Sequence, residues 1–308
     1  MTWWLWISEG LRQGCLTSRA RRSMGVPRGS VSRAGLDSTL PLRWPGYMSD
    51  IRIRQICLVA HDLERIQHQL ERVFGIAVAY RDPGVGRHGL HNILMPVGNQ
   101  LLETVAPLPG HHDTAGGRYL ARRGGDGGYM VIMQVPEASY PAYRSRVESL
   151  GVRIISEPGT GLEGTGGIQL HPKDVPGAIA EFRWNMEEDR EDGGWWPAGP
   201  DWQAAKHTDL VDAIVAAEIQ ADDPTALAAR WGEVLNEPVG RDDAGRPALA
   251  LAGSTLRFVP LTDGRPEGLC ALDIRTVDRA AVVANARAAG CLSGEDEVSI
   301  CGIRLNLV

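Results

Sequence analysis

One pattern governs what this chain can fold into: a unit of strand, helix and three short strands that starts at Ile51 and starts again at Tyr129, about 75 residues later. The first copy reads as a strand over Ile51 to Ala60, then a helix whose apolar residues Leu63, Ile66, Leu70, Val73 and Phe74 recur near the helical period. Asp62 supplies the N-cap and Gly75 the stop. Strands at Val78 to Arg81, Leu90 to Val97 and Gln100 to Val105 follow, separated by Gly and Pro. The second copy has a strand at Tyr129 to Val135, a helix at Tyr140 to Leu150 and strands near Arg153 to Ser156, Ile168 to His171 and Ala178 to Trp184. Neither copy can bury both faces of so small a sheet alone, so the units must pair.

Residues 186–208 are acidic, then rich in Gly, Pro and Trp, and lose all periodicity; they read as a linker. Beyond it the unit returns as a strand at Ile214 to Gln220, a helix at Pro224 to Leu235 and strands at Ala248 to Leu251 and Thr255 to Val259. A shortened fourth copy runs from Leu269 through a helix at Val277 to Ala289 to a final strand at Val298 to Val308. The sequence therefore predicts an α+β fold of tandem βαβββ modules, with one domain over 48–185 and a second over 209–308.

Residues 1–47 stand apart, with seven arginines, two acids and Trp3, Trp4 and Trp6 at the front. They read as a disordered or artefactual leader, with Met48-Ser-Asp as the natural start. The chain has 308 residues, is 43% hydrophobic and carries a net charge of -6 with its basic residues scattered beyond the leader. That balance argues against a nucleic-acid partner. No apolar run is long enough for a membrane span, and the five cysteines show no CxxC spacing, which favours a reducing, cytoplasmic setting.

Alternation sorts each strand into two faces. One set packs on a helix; the other carries Gln55, Glu103, Gln134, Glu181 and Arg183, of which Glu103 and Glu181 are lone carboxylates in apolar runs. Ile51, Ile53, Gln55, Cys57 and Val59 fall together, as do Met130, Ile132 and Gln134 against Tyr129, Val131, Met133 and Val135. Burying an unpaired carboxylate costs several kcal/mol, roughly. Two of them imply a shared partner, a proton or a metal ion.

The repeated unit, Gln55 seven residues before Asp62, Leu102-Glu103 ahead of Ala106-Pro107, and His171-Pro-Lys-Asp with Gly177 and Glu181 together resemble the vicinal oxygen chelate superfamily. The stretch Gly86-Arg-His-Gly-Leu-His-Asn92 is similar to a glyoxalase-like strand, and the nearest local likeness is to methylmalonyl-CoA epimerases and glyoxalase-like domains. The resemblance covers Ile51 to Asn185; from Asp209 only the outline remains. It implies that two units curl into an open, glyoxalase-like cup and that the first and last strands of each unit contribute one metal ligand apiece. Position by position this gives Gln55, Glu103, Met130 and Glu181, where Met130 departs because a thioether suits hard divalent cations poorly.

Two chemistries stay open. A divalent ion (Mn, Co, Ni, Zn or Mg) on Gln55, Glu103 and Glu181 would act as a Lewis acid on an enolate-like intermediate, with a freed carboxylate shuttling the proton. Without it, crowded Glu103 and Glu181 would have at least one raised pKa. The resemblance accordingly implies a glyoxalase-like or epimerase-like lyase or isomerase acting on a small oxygenated metabolite, or a metal-free small-molecule binding protein of the bleomycin-resistance type. His91 is a candidate base sharing a face with Ile93 and Met95; Gln134, Arg183 and Met130 are candidate substrate contacts. Gly159-Thr-Gly-Leu-Glu-Gly164 matches GxGxxG but opens no helix, so no nucleotide cofactor is expected. The C-terminal cup face reads as blank, with Ala216, Ala271 and Arg257 at the matching positions, and the second domain reads as a non-catalytic partner. A homodimer is compatible with this plan.

Overall fold

A computed structural model describes residues 49–187 and 190–308, so the leader reading lies outside the described residues. At the centre of the first seven-stranded sheet, β1 (Arg52–Val59) and β4 (Gly127–Gln134) run antiparallel. Each carries the last strand of its own unit in parallel: β3 (Gln100–Pro107) beside β1, and β7 (Ile179–Asn185) beside β4. β2 (Leu90–Val97) forms one edge, while β5 (Ile154–Ser156) and β6 (Thr165–Leu170) form the other, giving the order β2-β3-β1-β4-β7-β6-β5. This is the twofold pairing that the repeat demands.

The second sheet repeats the plan. β8 (Val211–Ala221) and β12 (Gly268–Thr276) are its antiparallel centre, with β11 (Ser254–Pro260) and β14 (Ile303–Leu307) parallel to them. β9 (Gly240–Arg241), β10 (Pro247–Leu251) and β13 (Glu297–Ile300) fill the edges. The final strand expected over Val298 to Val308 is instead a hairpin, β13 to β14. Its turn residues Cys301 and Gly302 both take positive φ, 53° and 65°, as a two-residue turn matched to strand twist requires.

Helix α1 (Leu63–Phe74) is capped as its sequence predicts: the Asp62 side chain accepts from the Arg65 amide, and Gly75 ends it in the left-handed region. α3 (Tyr140–Ser149), α4 (Pro224–Leu235) and α5 (Arg279–Ala288) occupy the corresponding places in the other units. α2 (Ala115–Arg123) lies between the first two units, where the sequence pattern predicts no helix; Thr114 caps it. The strand expected at Val78 to Arg81 reduces to one bridge, Tyr80 to Leu94, before a 3-10 turn at Pro83–His88.

The helix-facing sides of both sheets merge into one core, with Ile56, Leu58, Val131, Phe182 and Ile66 of the first half continuous with Ala217, Ile219, Phe258, Leu272 and Trp231 of the second. The halves are also stitched by backbone and side chain. Ala252 N–H donates to the Ile51 carbonyl at 2.8 Å, and the Gln100 carboxamide both donates to and accepts from Ile214 at 2.7 and 2.8 Å. No helix among the described residues is long and apolar enough to cross a membrane.

Candidate functional site

The opposite, concave face of the first sheet is where the polar candidates meet. Strict alternation breaks at a register shift in β1 between Ile53 and Gln55. Ile51 and Ile53 therefore join the helix-side core, while Gln55, Cys57 and Val59 turn into the cup, correcting the single-face assignment. A second shift, between Cys57 and Leu58, brings Tyr129 to the cup side next to Met130. Such bulges re-aim side chains at a sheet's functional face.

Across the cup the residues fall into two rows. Glu103, Cys57, Met130 and Ile179 are register partners in one; Leu101, Gln55, Ile132 and Glu181 in the other. Glu103 and Glu181 thus stand on strands separated by both central strands, and each has its own partners. Gln55 Nε2 donates to Glu103 Oε2 at 2.8 Å, and Asn92 Nδ2 donates to Glu103 Oε1 at 2.7 Å. Gln169 Nε2 donates to Glu181 Oε2 at 2.8 Å, and Arg183 Nε to Glu181 Oε1 at 2.7 Å.

Burial raises the Glu103 carboxyl above its ordinary range, against the opposing pull of hydrogen bonds from Asn92, Cys57 and Gln55. Burial, with the Glu103 charge added, pushes the Cys57 thiol far up, which makes it an apolar filler rather than a nucleophile. Gln134 lies at the end of β4, where its Oε1 accepts from Arg52 Nε at 3.0 Å and Nη2 at 2.6 Å. His91 does not reach the cup. Its face partners Ile93 and Met95 belong to the helix-side core, and it is Asn92 that enters the cup in its place.

Residues 193–205, inside the stretch read as a linker, fill the cup. Trp195 is 1% exposed, and its Nε1 donates to Gln55 Oε1 at 2.6 Å. Trp202 and Ala198 join the same apolar cluster with Met130, Ile132, Leu101 and Val105. Arg54, also buried, holds the segment down: its guanidinium stacks on Trp195 and Trp202, 5.5 and 5.1 Å from their centroids. The same group donates to the carbonyls of Asn99, Glu191 and Gly193. On the other side Arg183 lies 6.0 and 5.8 Å from the Trp195 and Trp196 rings. At the mouth remains a cleft of about 440 Å³ lined by residues that include Tyr80, Asp82, Thr165, Asn185, Trp195 and Trp196.

This donor set does not fit a divalent cation. Gln55 Oε1 is taken by an indole N–H, both Glu103 oxygens by carboxamides, and Glu181 by a guanidinium whose charge would repel the ion. Met130 offers no oxygen. Among the described residues no three His, Cys, Asp or Glu side chains gather as a metal site.

The second cup is not blank. Glu218, in the register position of Cys57, accepts from Arg246 Nη1 and Arg257 Nε at 3.0 Å and from Arg304 Nη2 at 3.0 Å. Arg257 also pairs with Asp273 at 2.7 Å, and Asn306 donates to that carboxylate at 2.8 Å. Of the three matched positions, Ala216 and Ala271 are small, but Arg257 is itself part of the network, and its carboxylate partners Glu218 and Asp273 stand two residues beyond the alanines.

A family model described as a glyoxalase-like domain matches residues 56–235, more than half of the chain. The fold is similar to the crystal structure of a hypothetical protein from Staphylococcus aureus, with 11% identity, a TM-score of 0.57 and coverage of 84% of this chain and 99% of that one. Methylmalonyl-CoA epimerase from Mycobacterium tuberculosis matches at 20% identity and a TM-score of 0.39, over 46% of this chain and 93% of that one. A methylmalonyl-CoA epimerase in complex with methylmalonyl-CoA and ammonium matches at 23% identity and a TM-score of 0.38, over 45% and 97%. No curated protein matches the chain.

Proposed function

The chain belongs to the glyoxalase-like domain family, of the vicinal oxygen chelate superfamily, and on that premise we propose that its N-terminal cup is a metal-free binding site for a small oxygenated metabolite. The observation that carries this is a pair of unmet donors. Among the described residues Arg183 Nη1 and Asn185 Nδ2 are buried without hydrogen-bond partners, two residues apart on β7 and so on one face. Each buried donor left unmade costs about 1–3 kcal/mol, and a ligand bringing acceptor oxygens would recover it. Asn185 lines the cleft at the mouth; Arg183 lies against the indoles that wall it. Aromatic walls with a few directed polar groups are what a small-molecule pocket needs.

The binding reading is tested by titrating tryptophan emission with a panel of 2-hydroxy and 2-oxo carboxylates, since Trp195 and Trp196 line the cleft. A saturable change in the wild type that R183M loses is the expected result. Saturation of equal affinity in R183M would sink it.

One observation favours a second reading, proton transfer of the isomerase kind. A buried carboxyl with raised proton affinity, Glu103, sits where the carboxamides of Gln55 and Asn92 fix its orientation, as general acid/base chemistry requires. Trp195 would have to leave the cup for a substrate carbon to reach it. Deuterium uptake at the α-carbon of the same acids, abolished in E103Q, would establish this; binding without exchange would leave the site a binding site.

A further inference from the structure

Arg123, the last residue of α2, sends its guanidinium out of the first half and over the concave face of the second sheet. It occupies the space above Gly268, its Cζ and Nη1 each 2.8 Å from where a Cβ there would stand. Gly268 is the register partner of Gln220 on β8, and Cys270 follows two residues along. The Arg123 side chain is 2% exposed, and among the described residues Nε, Nη1 and Nη2 all lack a hydrogen-bond partner. A guanidinium presents five N–H donors, so to bury it with none satisfied is among the costliest arrangements a fold can hold.

The nearest carboxylate does not answer the need. Asp263 Oδ2 stands 3.8 Å from Arg123 Nη2, beyond hydrogen-bond reach, and its Oδ1 already accepts from Gln220 Nε2 at 2.5 Å and the Arg265 amide at 2.9 Å. Arg265 adds a second cation. Its side chain donates to the carbonyls of Arg123, Asp126 and Gly302 at 3.1, 2.6 and 2.7 Å, with no ion pair among the described residues. Two guanidiniums thus face one carboxylate. Beside them Gln220 Oε1 is buried and also unpartnered among the described residues. The other charges of this face are spoken for, because Arg246, Arg257 and Arg304 converge on Glu218.

We propose that Arg123 anchors a second ligand site, for a phosphate group, in the concave face of the C-terminal sheet. The planar fork of Arg123 matches two phosphate oxygens at once, and the excess positive charge favours an anion. Gln220 Oε1 selects among anions. It needs a donor, which the P–OH of a singly or doubly protonated phosphate supplies and a carboxylate lacks. A phosphate there would bridge Arg123 from the first half to β8 and β12 of the second, and so tie the halves together.

Equilibrium dialysis of the full chain against radiolabelled inorganic phosphate, at ionic strength held constant with chloride, is the direct test. One saturable phosphate per chain is expected, with a Tm that climbs with phosphate and not with acetate. R123M should lose the binding and, in phosphate-free buffer, be at least as stable as the wild type, because no donors are then stranded. R123K, which keeps the charge without the fork, should bind about tenfold more weakly or worse. If R123M fails to fold, Q220L carries the test, with the phosphate preference over acetate reduced. Wild-type protein without saturable phosphate binding, or R123M binding it equally well, overturns the proposal, as does acetate raising Tm as far as phosphate does.

Discussion

Trp195→Ala asks whether the segment over the N-terminal cup is part of the fold or merely rests on it. An indole brings about 200 Å² to bury, and at about 25 cal/mol per Å² this is an upper bound near 5 kcal/mol. Trp195 is 1% exposed, so nearly all of that applies, and truncations of buried aromatics cost about 3–5 kcal/mol. Trp195→Phe isolates a smaller share: it keeps the stacking with Arg54 and Arg183 but strands Gln55 Oε1, for about 1–3 kcal/mol. If the segment detaches without global unfolding, the loss read in a global assay is capped by the docking free energy of residues 193–205. Urea unfolding followed by far-UV circular dichroism gives the global cost, and protease sensitivity between β7 and β8 gives the local one. Trp196 is the internal control, the same side chain one residue on but 45% exposed, where W196A should cost under about 1 kcal/mol. If W195A is no more harmful than W196A in both assays, the segment does not hold the cup closed and the reasoning fails.

Four further outcomes are expected. Glu103 carries a carboxyl raised above its ordinary value of 4.5 by burial, so the folded chain retains a proton that the unfolded chain releases first. Stability should therefore fall as pH rises from about 4.5 through the folded-state value and flatten above it; E103Q should remove that slope, and urea midpoints across pH that stay parallel in both proteins would contradict it. Glu218→Ala leaves three arginines around a missing carboxylate and should cost about 3–5 kcal/mol in chemical denaturation, where a loss below about 1 kcal/mol would show the network to be ornamental. Protein incubated with Mn, Co, Ni or Zn and then dialysed should hold no stoichiometric metal by elemental analysis; one equivalent retained by the wild type and lost in E181A would refute the donor argument. A chain ending at residue 208 should lose the dispersed amide spectrum of a packed fold, since it exposes the apolar core that both sheets share; a well-dispersed spectrum would separate the halves.

How far the sequence could be read depends on how local each determinant is. α1 was legible to its ends because Asp62, the apolar spacing and Gly75 all lie within one helix length. α2 was hidden by Gly116 and Gly117, whose poor helix propensity is overridden by Thr114, by the burial of Tyr119 and Leu120, and by Gly124 as the stop. Alternation gives two faces for β2 but not which one is inward, and both were apolar enough to mislead. A signal was nonetheless present: a two-residue turn at Gly98-Asn99 pairs Val97 with Gln100, hence Leu94 with Glu103, and that counts Asn92 rather than His91 onto the carboxylate's face. The bulge after Ile53 left no such trace. Trp195 was invisible to periodicity because its partners, Gln55 and Arg54, lie about 140 residues away along the chain. Composition alone pointed to it, since a polar connector has no use for Trp195, Trp196 and Trp202 unless their rings are covered.

The four units also show why one face of each sheet was easier to read than the other. Every unit must present apolar residues to its helix, so that side kept the same code from Ile56 and Leu58 to Ala217 and Ile219. The cup side carries no such common demand, and matched positions diverge freely: Gln55 becomes Ala216, Glu103 becomes Arg257, Met130 becomes Ala271 and Glu181 becomes Asn306. What limits the divergence is only that buried polar groups be answered. In the first cup the answer comes from a segment of the chain folding inward, in the second from arginines meeting Glu218. Where the described residues supply no answer, at Arg54, Arg183 and Asn185 in one cup and at Arg123 and Gln220 in the other, the unmet groups are donors, with a single acceptor among them. Both cups therefore call for oxygen-bearing ligands, but only the second pairs its donors with an acceptor, which is why the two sites should select different molecules.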